Sequence, residues 1–192
     1  MKIEVKNTTK RFNRLSIFKK VSFSIDEKGV YIVSGRNGSG KSTFLKCLLG
    51  ILPLTKGEIL LRVERIGFVA PYYQLFNELS AKQNILLVAS SVNIEMSEDE
   101  ISKRMEAFQL SGKQFVLLKN YSSGMMQRFR YLIACLNDPD LLVLDEPSAN
   151  LDSEGKKFVS SLVQDYSTKA IVIIATNETD ELSWGEEILA LS

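Results

Sequence analysis

Hydrophobic and polar residues alternate with period two over residues 2–6 (KIEVK) and 21–25 (VSFSI), which predicts strands with one buried face. Residues 30–34 (VYIVS) are an apolar run leading into a glycine-rich loop, and residues 41–49 then take a helical pattern that Gly50 can stop. Short strands are predicted at 58–62 (EILLR) and 65–70 (RIGFVA), so the opening third is strand-rich. The middle changes period. Residues 81–92 read as a helix, and Ser97 with Glu100 forms a capping box that opens a second helix running to about Phe108. The last third alternates again, with helix 123–137, strand 141–145 (LLVLD), helix 153–165, strand 171–175 (IVIIA), a short helix and a strand at 187–191. The strands at 141–145 and 171–175 lack alternation, as strands covered on both faces of a parallel sheet do. The pattern predicts a single α/β domain over 1–192, with a small helical subdomain at about 75–120.

Composition removes several kinds of chemistry. The chain has 192 residues, 45% hydrophobic and 24% charged, enough for one substantial core. Its formal net charge of +1 offers no electrostatic case for nucleic acid as a partner. The chain contains no histidine, so histidine acid–base catalysis and histidine metal ligation are excluded. Cys47 and Cys135 each sit in apolar helical patterns (FLKCLLG and YLIACL) and read as buried, reduced thiols. The opening MKIEVKNTTK is no signal peptide, and no apolar run is long enough to span a bilayer. The expectation is a cytoplasmic chain that reaches a membrane only through a partner. The chain ends at Ser192, just after the final strand, so no additional regulatory domain is expected.

Two motifs carry candidate chemistry. Residues 35–42 read Gly-Arg-Asn-Gly-Ser-Gly-Lys-Ser, matching G-x-x-x-x-G-K-[ST]. Gly35, Gly38 and Gly40 let the backbone turn with its N–H groups inward, where they and the following helix N-terminus can cradle a polyphosphate. Lys41 supplies a point charge to β- and γ-phosphates, and Ser42 offers a hydroxyl to Mg²⁺. Arg36 and Asn37 contribute backbone to the loop. The second motif is Leu-Leu-Val-Leu-Asp-Glu at 141–146, which delivers two carboxylates to the end of a buried strand. Asp145 can hold Mg²⁺, and Glu146 can polarise a water for attack on the γ-phosphate.

Together with Pro147 and the stretch Ser148-Ala149-Asn150-Leu151-Asp152, these motifs resemble those of ABC (ATP-binding cassette) ATPases. Tyr-Ser-Ser-Gly-Met-Met-Gln-Arg at 121–128 stands where that family has its signature, and Gln74, in Ala-Pro-Tyr-Tyr-Gln-Leu-Phe, where it has a glutamine loop. The resemblance implies a P-loop NTPase: a mostly parallel sheet, an N-terminal antiparallel β subdomain and a small α-helical subdomain. It implies ATP and Mg²⁺ as cofactors. Phe12 would stack on adenine. Gly35, Arg36, Asn37, Gly38, Ser39, Gly40, Lys41, Ser42, Thr43, Gln74 and Asp145 would bind nucleotide, with Ser42, Gln74 and Asp145 on the metal. Ser122, Ser123 and Gly124 would meet the γ-phosphate held by a second copy, in a head-to-tail dimer formed on ATP binding, and Asp152 would lie in a loop crossing that interface. Catalysis would fall to Glu146 with Lys41, and a transmembrane permease would dock near Gln74 and residues 75–120, holding the chain on the cytoplasmic face of the membrane.

The chain departs from the family pattern at two positions that bear on activity. Met125 replaces a signature glutamine, and Asn177, after Ile171–Thr176, stands where the family has a histidine on the γ-phosphate. Asparagine can donate a hydrogen bond there but carries no charge and shuttles no proton. Asn177 is therefore read either as a γ-phosphate sensor beside a catalytic Glu146 or as the mark of a slow, ATP-gated clamp. Within the family, Ile-Gly-Phe-Val-Ala-Pro-Tyr, Tyr-Ser-Ser-Gly-Met and Ala-Thr-Asn look most like haem-exporter ATPases of cytochrome c maturation. A soluble cassette of the iron–sulfur assembly kind is the alternative. A small-molecule kinase is disfavoured, because no arginine-rich lid is apparent.

Overall fold

The computed structural model describes residues 1–72 and 74–191; Tyr73, part of the Ala-Pro-Tyr-Tyr-Gln motif, and Ser192 lie outside the described residues. Two compact units emerge, Met1–Ile66 with Asp140–Ser192, and Gly67–Pro139.

The first unit holds two sheets. β1 (Lys2–Phe12), β2 (Leu15–Ile25) and β4 (Lys56–Arg62) form an antiparallel sheet in the order β2-β1-β4. β1 and β2 run well beyond the segments that alternation predicts. The register of β1 against β2 shifts between Val5 and Thr8 and again between Thr8 and Lys10, and Thr8, Thr9 and Lys10 are buried in succession. An irregularity of that kind flips the inside–outside phase and erases the period-two signal.

Four parallel strands of the same unit run in the order β6-β7-β3-β8: β3 (Gly29–Gly35), β6 (Leu141–Asp145), β7 (Ile171–Thr176) and β8 (Glu186–Leu191). Every residue of β6 and β7 is buried, the state that their unbroken apolar runs predict. Helices α1 (Lys41–Leu48) and α5 (Ser153–Ser167) add Phe44, Leu45, Leu48, Val159 and Val163 to the core. Gly50 has φ +70° just past the C-cap of α1, the left-handed exit that the sequence marks. The short α6 (Thr179–Leu182) connects β7 to β8.

β5 (Ile66–Val69) starts at the division, and the second unit continues with α2 (Ala81–Ser91), α3 (Glu98–Ala107), a 3₁₀ turn at Leu118–Asn120 and α4 (Ser123–Ala134). α3 opens with the capping box that the sequence predicts: the Ser97 hydroxyl accepts from the Glu100 N–H at 3.3 Å, and a Glu100 carboxylate oxygen accepts from the Ser97 N–H at 2.7 Å. Ser80 and Gln83 form an equivalent box on α2. Ile85, Ile101, Met105, Leu118, Phe129 and Leu132 fill the interior of this unit. Both cysteines are buried and outside any disulfide, as expected, and burial pushes the Cys47 thiol up. Among the described residues no helix is long and apolar enough to cross a membrane.

Candidate functional site

Parallel strands end at one edge of a sheet, and loops that leave that edge converge. Register makes this concrete. Ser34 at the end of β3 pairs with Thr176 of β7, and Asp145 at the end of β6 pairs with Ala175. With strands about 4.8 Å apart, Gly35, Asn177 and the Asp145–Glu146 pair leave three adjacent strands side by side.

The loop after β3 is shaped by its glycines. Gly40 is the N-cap of α1 with φ +101°, and a Cβ there would stand 2.3 Å from Ile17 Cγ2. A Cβ on Gly35 would meet the Leu191 carbonyl oxygen at 2.4 Å. Only glycine fits either position. Lys41 is 4% exposed, and its Nζ donates to the carbonyl oxygens of Gly35 at 2.7 Å and Arg36 at 3.2 Å. Glu146 Oε1 lies 3.9 Å from the same Nζ. A buried ammonium is stable only when ringed by acceptors in this way. Arg36, Asn37 and Gly38 are exposed at the turn, while Ser39, Ser42 and Thr43 are half-buried.

Asp145 is buried at 2% exposure at the end of β6. Glu146 turns sharply, with φ +50°, and its N–H donates to the Ala175 carbonyl at 2.8 Å. A non-glycine residue in that region costs about 1–3 kcal/mol and persists only where neighbours fix it. Glu146 and Asn177, together with Asn37, Ala149, Asn150, Glu178 and Glu181, line one cavity of about 260 Å³. Glu146 and Asn177, read from separate motifs, therefore face one space. The oxygen donors here, the Ser42 hydroxyl and the Asp145 and Glu146 carboxylates, suit a hard cation that takes one or two carboxylates and completes its shell with phosphate and water. Among the described residues no cluster of three or more His, Cys, Asp or Glu could cage a metal by itself. The oxygen set fits Mg²⁺ held together with phosphate.

Phe12 ends β1 and is 46% exposed, with Lys10 Nζ 4.7 Å from its ring centroid. Lys10 is itself buried and donates to the Pro53 carbonyl at 2.7 Å. The ring is held by a cation and remains nearly half exposed. Asp152 caps α5, accepting from the Gly155 N–H at 2.7 Å. The remaining predicted residues belong to the second unit. Gln74 is exposed in a stretch without regular structure. Ser122 is the N-cap of α4, its hydroxyl accepting from the Met125 N–H at 3.2 Å, with Ser122 and Ser123 exposed and Gly124 half-buried at that helix start. A Cβ on Gly124 would meet nothing within 4 Å, so the start of α4 is open to approach. The neighbouring Tyr121 hydroxyl is pushed up to about 12 by burial.

The sequence reading missed Glu181. It is 1% exposed and accepts from both the N–H (3.1 Å) and the hydroxyl of Ser148. Nothing local marks it, since Glu-Thr-Asp-Glu is polar throughout and the short helix predicted there shows no apolar face.

Comparison with known proteins gives the family and the fold. A family model described as ABC transporter matches residues 18–149. The ABC transporter ATP-binding protein YybJ of Bacillus subtilis is 28% identical over 191 residues, covering 94% of this chain and 87% of its own. The lantibiotic transport ATP-binding protein SrtF of Streptococcus pyogenes is 28% identical over 91% of this chain and 79% of its own. The putative hemin import ATP-binding protein HrtA of Staphylococcus haemolyticus is 26% identical over 100% of this chain and 97% of its own. Among solved structures, the dimeric cassette MJ0796 superposes with a TM-score of 0.84 at 24% identity, covering 99% of this chain and 96% of that one. The fold expected from the sequence, α/β with a parallel sheet and an antiparallel β subdomain, is the fold found.

Proposed function

The chain belongs to the ABC transporter family, as an ATP-binding cassette that powers a transporter by ATP hydrolysis, and on that premise we propose how its residues share the work. Lys41 and the N–H groups of Gly35–Thr43 bind the triphosphate, and Phe12 stacks on the adenine. Mg²⁺ would neutralise phosphate charge, and the Ser42 hydroxyl in the first turn of α1 and the Asp145 carboxylate at the end of β6 would hold it. Glu146 accepts the proton of the attacking water, and Asn177 donates to the γ-phosphate. Ser122, Ser123 and Gly124 of a second copy, at the open start of its α4, complete the site, so two chains close head to tail around two ATP molecules.

A permease supplies the membrane part and docks on the second unit near Gln74, keeping the chain on the cytoplasmic face. Apolar side chains open to solvent on that unit support this: Phe76 and Phe115 are 60% and 68% exposed, and Leu86 and Leu87 are exposed on α2. For cargo, the three motifs that resemble those of haem-exporter ATPases support a reading in that subgroup, and the likeness to a putative hemin import ATPase is compatible with a tetrapyrrole. The domain is one cassette, with residues 75–120 as its helical part.

The observation that carries the reading is Lys41, buried against the glycine-loop carbonyls with Glu146 3.9 Å away, beside the cavity that Asn177 shares. The test is steady-state ATP hydrolysis across a wide range of protein concentration, with Glu146→Gln as control. A rate that rises faster than linearly and is lost in Glu146→Gln supports a working dimer. ATP-dependent dimers without hydrolysis support the clamp, the alternative reading of Asn177 in place of histidine. A rate linear in protein concentration, or unchanged in Glu146→Gln, overturns the assignment.

A further inference from the structure

Glu181 has no task in the scheme above, yet it is the most deeply buried acid at the site. It lies on α6 at 1% exposure, directly after the turn that carries Asn177. Its Oε1 accepts from the Ser148 N–H at 3.1 Å and from the Ser148 hydroxyl, and Ser148 is itself 2% exposed. Its Oε2 is buried with no protein donor. Carboxylates are costly to bury, and the bonds to Ser148 are the compensation on the page.

Ser148 stands two residues beyond Glu146, whose backbone has φ +50°. Such a conformation holds only when its surroundings over-determine it. Three ties do so. The Glu146 N–H reaches the Ala175 carbonyl at 2.8 Å and fixes the entry to the turn. The Ala149 N–H reaches the Glu146 carbonyl at 3.2 Å and closes it. Ser148, bonded to Glu181, anchors the exit to an element 33 residues away. Without the third tie the turn loses its anchor to α6, and the Ala149–Asn150 wall of the cavity is held less firmly.

We infer that Glu181 is a positioning residue: through Ser148 it sets the carboxylate of Glu146 and the Ala149–Asn150 turn, without itself contacting nucleotide. The inference rests on Glu146 being the base in ATP hydrolysis. The same carboxylate sits on α6, which directly follows the turn that carries Asn177, so the Glu146 turn is anchored to the element next to Asn177.

The experiment compares Glu181→Ala, Glu181→Gln, Ser148→Ala and the Ser148→Ala/Glu181→Ala double variant in the full-length chain. Each is measured for kcat, KM, affinity for a fluorescent ATP analogue and melting temperature. Misplacement of a reacting group costs about 10- to 100-fold, so Glu181→Ala lowers kcat by that factor while analogue affinity stays within about threefold. Glu181→Gln restores most of kcat, because its amide oxygen still accepts from Ser148. The double variant is no slower than Glu181→Ala alone, as partners in one tie are not additive. Wild-type kcat in Glu181→Ala, no rescue by glutamine, additivity in the double variant, or affinity falling in step with kcat overturns the inference. If Glu181→Ala does not fold, Ser148→Ala decides: a lowered kcat at unchanged affinity supports the tie, and a wild-type kcat overturns it. A wild-type chain without ATPase activity at any concentration removes the hydrolysis reading and this inference with it, whereas an active wild type with an indifferent Glu181→Ala removes the inference alone.

Discussion

Gly40→Ala separates two costs that the glycine loop avoids. The first is conformational. Gly40 holds φ +101° at the N-cap of α1, and an L-residue forced there loses about 1–3 kcal/mol. The second is steric. The new Cβ would lie 2.3 Å from Ile17 Cγ2. An ordinary carbon contact is about 3.5 Å, so one side must retreat by about 1 Å, and overpacking of that kind costs about 1–3 kcal/mol. If the loop holds its shape, the two together come to about 2–6 kcal/mol of stability. If it yields, the N–H groups at the start of α1 turn away and the cost appears as lost ATP affinity, about tenfold for each 1.4 kcal/mol. Ile17→Ala removes the clashing methyl and leaves the backbone angle untouched, so Ile17→Ala/Gly40→Ala recovers the steric part only. The assay is a fluorescent ATP-analogue titration beside a thermal melt, where each kcal/mol is about 2–4 °C for a chain of this size. Gly40→Ala binds at least about 30-fold more weakly or melts at least about 5 °C lower, and the double variant recovers part of that loss. Wild-type affinity and melting temperature in Gly40→Ala refute both costs. Complete rescue in the double variant refutes the conformational cost, and no rescue refutes the steric one.

Two further outcomes follow from charge. The chain has no histidine, so kcat of the wild type shows no step near pH 6.5, whereas Asn177→His introduces one; a charged donor on the γ-phosphate is worth about 1 kcal/mol more than a neutral amide, about fivefold in rate, and a flat profile with no gain counts against contact at Asn177. Hydrogen bonds from Lys2 and Lys6 hold the Glu4 carboxyl down at about 2, against an ordinary 4.5, and Arg65 lowers Asp140 likewise. Their stabilising effect is fully present above pH 4.5 and lost as pH falls toward about 2, so the urea midpoint drops across that window, and Glu4→Gln makes the drop shallower; equal acid sensitivity in Glu4→Gln refutes this assignment.

The elements that build the site were the legible ones, for a physical reason. β3, β6 and β7 are covered on both faces, so their apolar runs stand out without a partner being known. The glycine loop and the acid pair sit at the ends of those strands, and their residue types are dictated locally by backbone angle and charge. α3 announced itself by a capping box that its own residues complete. Legibility failed where a residue's environment is made by distant chain. Thr8, Thr9 and Lys10 of β1 are buried in succession where its register against β2 shifts, and local alternation cannot express a phase set by another strand. Glu181 is the sharper case. A four-residue helix contains barely one turn, too short for a periodic pattern, so its buried face has no signature. What makes Glu181 interior is a serine 33 residues away, itself fixed by the turn at Glu146. Bulk, charge and spacing reveal the groups that touch phosphate, because phosphate demands the same residue types wherever it binds. The groups that hold them in place answer only to the local packing, and they become visible when the acids are sorted by burial rather than by motif.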